Sequence, residues 1–190
     1  MKPFDFIILF VSFIYTLGLT HILFAATRMI RHRRSVTLSW PHLLWMTAAL
    51  GMMFGNWLSL WDFHGRDVMP LGLIVGGFVL VVLEYGVCAL VAPELETEAD
   101  FDLRRFHARE GRTYLFAFLL VMLASLALNA AAGLGLGVGN WANQNWIVLA
   151  MIPAVALALV VKATWAQVLA PLIMIALMAA FPVIYYPVLK

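Results

Sequence analysis

Six long runs of apolar residues occupy most of this 190-residue chain. They lie at about 4–27, 40–61, 69–92, 113–136, 146–161 and 165–185. A helix rises 1.5 Å per residue, so about 20 apolar residues are needed to cross the roughly 30 Å hydrocarbon core of a bilayer. In hydrocarbon only a helix or a closed barrel satisfies its own backbone hydrogen bonds, and runs of this length indicate helices. The sequence therefore predicts an all-α, polytopic transmembrane helical bundle with six spans.

The composition indicates a single membrane domain and excludes a soluble fold. Apolar residues make up 64% of the chain and charged residues 12%, whereas soluble domains average roughly 45–50% and 25%. Six spans leave room only for short connections, so residues 1–190 are expected to form one domain. The single cysteine, Cys88, excludes an internal disulfide or dithiol relay within this chain.

The basic residues are distributed unevenly among the connections. Nine of the twelve fall after spans one, three and five, namely Arg28, Arg31, Arg33, Arg34, Arg104, Arg105, Arg109, Arg112 and Lys162. The positive-inside rule assigns that side to the cytoplasm. Both termini are therefore expected on the extracytoplasmic side.

The longest connection, a cytoplasmic loop predicted at 93–112, has acidic residues first and arginines later. In one interpretation Asp100 caps a short helix that lays Leu103 and Phe106 on the membrane. In the other the segment is a soluble connector whose charge order suits the helix dipole. The candidate surface for anionic lipid headgroups or for a membrane-protein partner comprises Arg31, Arg33, Arg34, Arg104, Arg105 and Arg109.

Small residues recur every four positions in three of the spans. They are Gly51, Gly55 and Ser59, then Gly72 and Gly76, then Ser125, Asn129, Gly133 and Gly137. Such faces let helices approach closely in lipid. Spans two to four are therefore expected to form the tight centre, either within one subunit or between copies in a homo-oligomer.

The amino-terminal part carries a series of short motifs. LGLTHIL at 17–23 is followed by Arg28, by RHRR at 31–34 and by SWPHLLW at 39–45. These segments resemble a widespread group of bacterial multi-span inner-membrane proteins, and DLRRFH at 102–107 is loosely similar to the same group. The resemblance implies a bacterial source and a cytoplasmic-membrane location, and it implies no activity.

Polar residues inside the spans are the first candidates for function, because an ionised side chain at mid-bilayer costs about 2.5–3.5 kcal/mol. Glu84 is the only acid in a span, and His21 is the only histidine well inside one. Counting from the span ends puts both about 10–14 Å from the cytoplasmic boundary, so we expect them to meet. The same count puts Asn56 and Asn129 at one level in the outer leaflet.

Two interpretations of these four residues remain open. In the first, Asn56 and Asn129 line the outer half of a polar track, and Glu84 with His21 forms a proton-responsive constriction. In the second, Glu84 and His21 pair to join two helices, and the asparagines form hydrogen bonds between helices. The first predicts a channel or transporter for protons, ions or a small solute. The alternative function is a non-enzymatic accessory, sensor or assembly subunit that acts through the arginine-rich face.

Signatures of enzymes and cofactor sites are missing from the sequence. The chain has no HExxH, GxSxG or P-loop motif and no cluster of acids within the spans. Haem between helices generally needs paired axial ligands, and His21 stands alone. We therefore predict no catalytic residue, no metal and no cofactor, and a lipid-modifying enzyme is disfavoured.

Overall fold

The computed structural model describes residues 3–64, 68–94, 101–133 and 138–187, and the backbone of this part is mainly helical. The helices are α1 (Pro3–Arg31), α2 (Trp40–Ser59), a 3-10 turn (Leu60–Phe63), α3 (Leu71–Val91), α4 (Leu103–Ala132), α5 (Val138–Gln144), α6 (Trp146–Val160) and α7 (Thr164–Tyr185). Two short strands, β1 (Val36–Thr37) and β2 (Phe101–Asp102), pair in parallel. The predicted all-α class is confirmed.

Five of the described helices are long and apolar enough to cross a membrane. They are α1, α2 with its 3-10 turn, α3, α4 and α7, and the spans contain 21–30 residues. The helix α6 has 15 residues, which corresponds to about 22 Å and is shorter than a typical hydrocarbon core. The sixth span and the extracytoplasmic position of the termini therefore stay predictions.

Five helices pack in a ring in the order α2, α3, α4, α6, α7 and back to α2. The helix α1 lies outside this ring and packs mainly on α3. At the end that carries the arginines, the ring is filled by the fully buried side chains of Trp45, Tyr114 and Phe118, which we call the aromatic plug. The opposite end encloses a cavity, described below.

Prolines and an aspartate determine where three helices begin. Pro41 lies in the first turn of α2, and Pro70 precedes α3, positions at which the missing backbone N–H is not needed. Asp102 caps α4, because its Oδ1 accepts hydrogen bonds from the backbone nitrogens of Arg104 at 2.8 Å and Arg105 at 3.4 Å. The sequence did not predict this cap; the cap that it predicted, Asp100, lies outside the described residues.

The second half of the predicted loop at 93–112 is helical, because α4 runs without interruption from Leu103 to Ala132. Leu103 is fully buried, and the ring of Phe106 packs on that of His42 with centroids 5.1 Å apart. The expectation that Leu103 and Phe106 face the membrane is therefore wrong. Their apolar side chains contact the interior of the bundle instead.

The glycine faces pack against partners that differ in part from those expected. Gly51 and Gly55 of α2 face α7, and a Cβ atom on Gly55 would lie 3.2 Å from the sulfur of Met178. Gly76 of α3 faces Leu128 of α4, whereas no atom lies within 4 Å of a Cβ on Gly72. The prediction of a tight centre made by spans two to four is wrong for α2, since a repeat of four residues defines a face but not its partner. Gly137 lies outside the described residues.

Candidate functional site

A cavity of about 650 Å³ occupies the end of the ring opposite the arginines. It reaches from Asp62 and Tyr186 at the helix ends down to Met52, Met122 and Met151, and the aromatic plug lies beyond these methionines. Its polar lining within the described part of the chain consists of Tyr15, Asn56, Ser59, Asp62, Ser125, Asn129, Gln144, Asn145, Tyr185 and Tyr186. We call this space the polar-lined cavity. No lysine, arginine or histidine is among these described lining residues.

Glu84 lies in α3 beside this cavity and is only 1% exposed. The Nδ2 of Asn56 donates a hydrogen bond to Glu84 Oε1, and the side chain of Tyr15 interacts with the same carboxyl. Both Asn56 and Tyr15 line the cavity. They therefore form the contact between the buried carboxyl and the open space.

The surroundings of Glu84 favour its neutral form. Its Oε2 has no hydrogen-bond partner within the described residues, and neither ion pair found there involves this carboxyl. An ionised carboxylate that is buried without a cation costs several kcal/mol, whereas a protonated carboxyl is far less costly. We therefore expect Glu84 to carry a proton.

His21 does not join this cluster. It is exposed on α1, and its Nε2 lies 3.1 Å from the hydroxyl oxygen of Tyr85. Tyr85 follows Glu84 in α3, but consecutive residues of a helix point in different directions. The expected pair of His21 with Glu84 is therefore not formed, since equal depth in the bundle does not fix the direction of a side chain.

Asn56 and Asn129 both line the polar-lined cavity, but each has its own partner. Asn129 Nδ2 donates to Asn145 Oδ1 at 2.7 Å, and Asn145 Nδ2 donates to the carbonyl oxygen of Trp141 at 2.8 Å. This chain of bonds joins α4 to the junction of α5 and α6. Asn145 was not predicted from the sequence; its amide is 4% exposed beside an apolar helix, where a polar group needs a partner.

The mouth of the cavity is lined by a tyrosine and a carboxyl from two different segments. Tyr186, which follows α7, forms a side-chain hydrogen bond with Asp62 of the 3-10 turn. Burial, and then this contact with Asp62, raise the pKa of Tyr186 above its ordinary value. The phenol therefore keeps its proton at neutral pH, and its single O–H donates to Asp62 at the entrance.

A second buried polar cluster lies at the arginine end of the bundle. The Nε2 of Gln167 donates to the carbonyl oxygens of Ala158 at 2.7 Å and Val161 at 2.8 Å. Its Oε1 must then accept from His107 Nε2, 3.2 Å away, so His107 carries its proton on Nε2. The Nδ1 of His107 accepts in turn from the hydroxyl of Tyr114. This cluster holds α4 against the connection between α6 and α7.

His42 lies beside that cluster without joining it through hydrogen bonds. Its ring is fully buried, with its centroid 6.2 Å from that of His107. Its ring nitrogens make no hydrogen bond of ordinary geometry in the described part of the chain, and their nearest described polar contact is with the backbone of Val91. Within residues 3–64, 68–94, 101–133 and 138–187, no group of three His, Cys, Asp or Glu side chains could hold a metal ion.

The pairing of β1 with β2 brings two groups of arginines to one end of the bundle. Val36 pairs with Phe101, so the segment 31–34 lies near the start of α4. The exposed arginines there are Arg31, Arg33, Arg34, Arg104, Arg105 and Arg109, which we call the basic face. Their described ion pairs are with near neighbours, Arg105 with Asp102 at 3.7 Å and Arg109 with Glu110 at 2.7 Å. Such exposed pairs contribute little to stability.

The fold and these sites define a class of protein: an all-α bundle with helices of membrane-spanning length and a cavity inside a ring of helices. Comparisons with protein-family models, with curated proteins and with solved structures find no match. The function is therefore argued from the geometry and chemistry of the cavity.

Proposed function

We propose that this protein is a proton-coupled carrier for a small solute in the bacterial inner membrane. The observation that supports the proposal is a cavity that adjoins a buried carboxyl and ends on the packed aromatic plug. A channel requires a continuous passage, whereas a carrier exposes its site to one side at a time. The filled end of the ring therefore favours a carrier over an open channel.

In this proposal Glu84 couples proton movement to a rearrangement of the bundle. Asn56 and Tyr15 separate its carboxyl from the polar-lined cavity. Loss of the proton leaves a carboxylate that is costly to bury unless water or a cation reaches it. Release of the proton thus favours a state in which the Glu84 site is open, and binding of a proton favours the closed state.

A cysteine at Ser125 tests whether the cavity opens to both sides. Ser125 lines the cavity on α4 and is 7% exposed. In a background with Cys88→Ala, we expect Ser125→Cys to react with a membrane-impermeant methanethiosulfonate cation from either side of oriented vesicles. The reason is that a carrier exposes one site to each side in turn.

The matched control for this experiment is a cysteine on the opposite face of the same helix. Leu123 is 50% exposed on the outside of the bundle, where a charged reagent is excluded from hydrocarbon. Leu123→Cys should therefore react from neither side. Reaction of Ser125→Cys from the extracytoplasmic side alone would contradict the carrier.

A second candidate function is supported by the basic face. A membrane accessory, sensor or assembly subunit would use these arginines to bind anionic headgroups or an acidic partner, at about 1 kcal/mol per arginine near a lipid surface. The pairing of β1 with β2 supports this candidate, because it joins arginines from two distant segments. Such a protein, alone or as a homo-oligomer, does not need to expose Ser125 to each side of the membrane in turn. Reaction of Ser125→Cys from one side only would therefore favour this second candidate.

A further inference from the structure

A second cavity, of about 270 Å³, lies between α1 and α3 and adjoins the polar-lined cavity. Its wall includes Phe6, Phe10, Leu73, Ile74 and Phe78, and all of its described lining side chains are apolar. We call it the apolar cavity. Four residues line both cavities, namely Leu60, Phe63, Gly77 and Leu128. The two spaces are therefore adjacent and share part of one wall.

The two cavities offer different chemistry to one ligand. The polar-lined cavity presents amides and hydroxyls, and its only charged side chain among the described lining residues is Asp62. An anionic group there would meet no described cation and would lie near Asp62 and the buried carboxyl of Glu84. The described lining residues of the apolar cavity offer no hydrogen-bonding side chain. This combination suits a molecule with an uncharged polar end and an apolar chain.

We propose that the solute is an uncharged single-chain amphiphile, with its hydroxyl-bearing head in the polar-lined cavity and its chain in the apolar cavity. This inference rests on the proposed carrier function and names its substrate class. A chain gains little free energy when it moves from lipid to an apolar protein surface. The hydrogen bonds of the head therefore set selectivity, and the apolar cavity lets the chain enter from the bilayer between α1 and α3.

Gly77 provides a direct test because it lines both cavities. Apart from its own stretch of helix, no described atom would lie within 4 Å of a Cβ atom at Gly77, so the backbone there leaves room for a side chain to start, and we expect a leucine to occupy space beside both cavities. Gly86 lies on the same helix in equally open surroundings and is not among the lining residues of either cavity. Gly86→Leu is therefore the matched control for Gly77→Leu.

The experiment is photolabelling of the full chain in lipid nanodiscs. The probe is a monoacylglycerol with a diazirine in its acyl chain, and the comparison probe is the free fatty acid with the same chain. We expect saturable labelling of α1 and α3 peptides by the monoacylglycerol and weaker labelling by the fatty acid. Gly77→Leu should lower the monoacylglycerol labelling about tenfold, which corresponds to about 1.4 kcal/mol, and Gly86→Leu should leave it unchanged.

Two outcomes would overturn the inference. Equal labelling by both probes and in both glycine variants would show contact with bulk lipid only, and stronger labelling by the fatty acid would contradict an uncharged head. Labelling measures binding and requires no transport. The proposed carrier function and the proposed substrate class can therefore be contradicted independently. If labelling is selective but Ser125→Cys reacts from one side only, the ligand class stands and the carrier function is contradicted. If Ser125→Cys reacts from both sides but labelling is not selective, the carrier function stands and the ligand class is contradicted.

Discussion

Dicyclohexylcarbodiimide is expected to label Glu84 at neutral pH and to leave the Glu84→Gln variant unlabelled. A protonated carboxyl gives its proton to a carbodiimide nitrogen, and the carboxylate oxygen then attacks the central carbon to form an O-acylisourea. The apolar reagent enters the membrane, and the polar-lined cavity leads to Asn56 and Tyr15 in front of Glu84. Intact-mass measurement should show one adduct on the wild-type chain.

The control for the carbodiimide reaction is Glu110→Gln. Glu110 lies at the basic face, where its carboxyl contacts Arg109 at 2.7 Å, and we expect no reaction there. The variant should be labelled like the wild-type chain. Labelling of Glu84→Gln to the wild-type extent, or no labelling of the wild-type chain, would contradict a protonated and reachable Glu84.

Replacement of Gln167 by leucine is expected to lower the free energy of unfolding by about 2–3 kcal/mol. The change leaves the carbonyl oxygens of Ala158 and Val161 and the Nε2–H of His107 without their partner. An unpaired polar group costs about 1–3 kcal/mol where it is buried, as at Ala158, and less where it is partly exposed, as at Val161 and His107. Denaturant titration in mixed micelles, followed by tryptophan fluorescence, measures the difference.

Gln144→Leu is the matched control for the loss of an amide. Gln144 is exposed at the opposite end of the bundle, so its replacement should change the free energy of unfolding by less than about 0.5 kcal/mol. If Gln167→Leu were as stable as the wild-type chain, the cluster around His107 would not hold α4 against α6 and α7.

The sequence predicted the helical class well, because hydrocarbon allows few alternatives to a helix. It predicted the start of α4 poorly, since the charged residues at 103–112 resemble a connector. A cap at Asp102 and burial of Leu103 extend the helix into this segment. Whether charged residues continue a helix depends on which neighbours cover its apolar side, and that information comes from packing.

The candidate site was only partly predictable for a related reason. Glu84 was selected because acids are rare in apolar spans, and the structure buries it beside the cavity. Asn56 was not identified as its partner because residue counts put Asn56 in the outer leaflet and Glu84 nearer the cytoplasm, whereas the two side chains are bonded to each other. Tyr15 was missed because such counts give no direction around a helix axis. Asn145 and Gln167 were missed because amides near helix ends are typical of the membrane interface.

The carrier account depends on whether the short helix α6 crosses the membrane. Gln144 and Lys162 flank α6, and both are exposed. In a Cys88→Ala background, Gln144→Cys should react with a membrane-impermeant maleimide in intact cells, whereas Lys162→Cys should react only after the inner membrane is permeabilised. Reaction of both thiols on the same side would contradict the account, because α6 would then not close the ring around the polar-lined cavity.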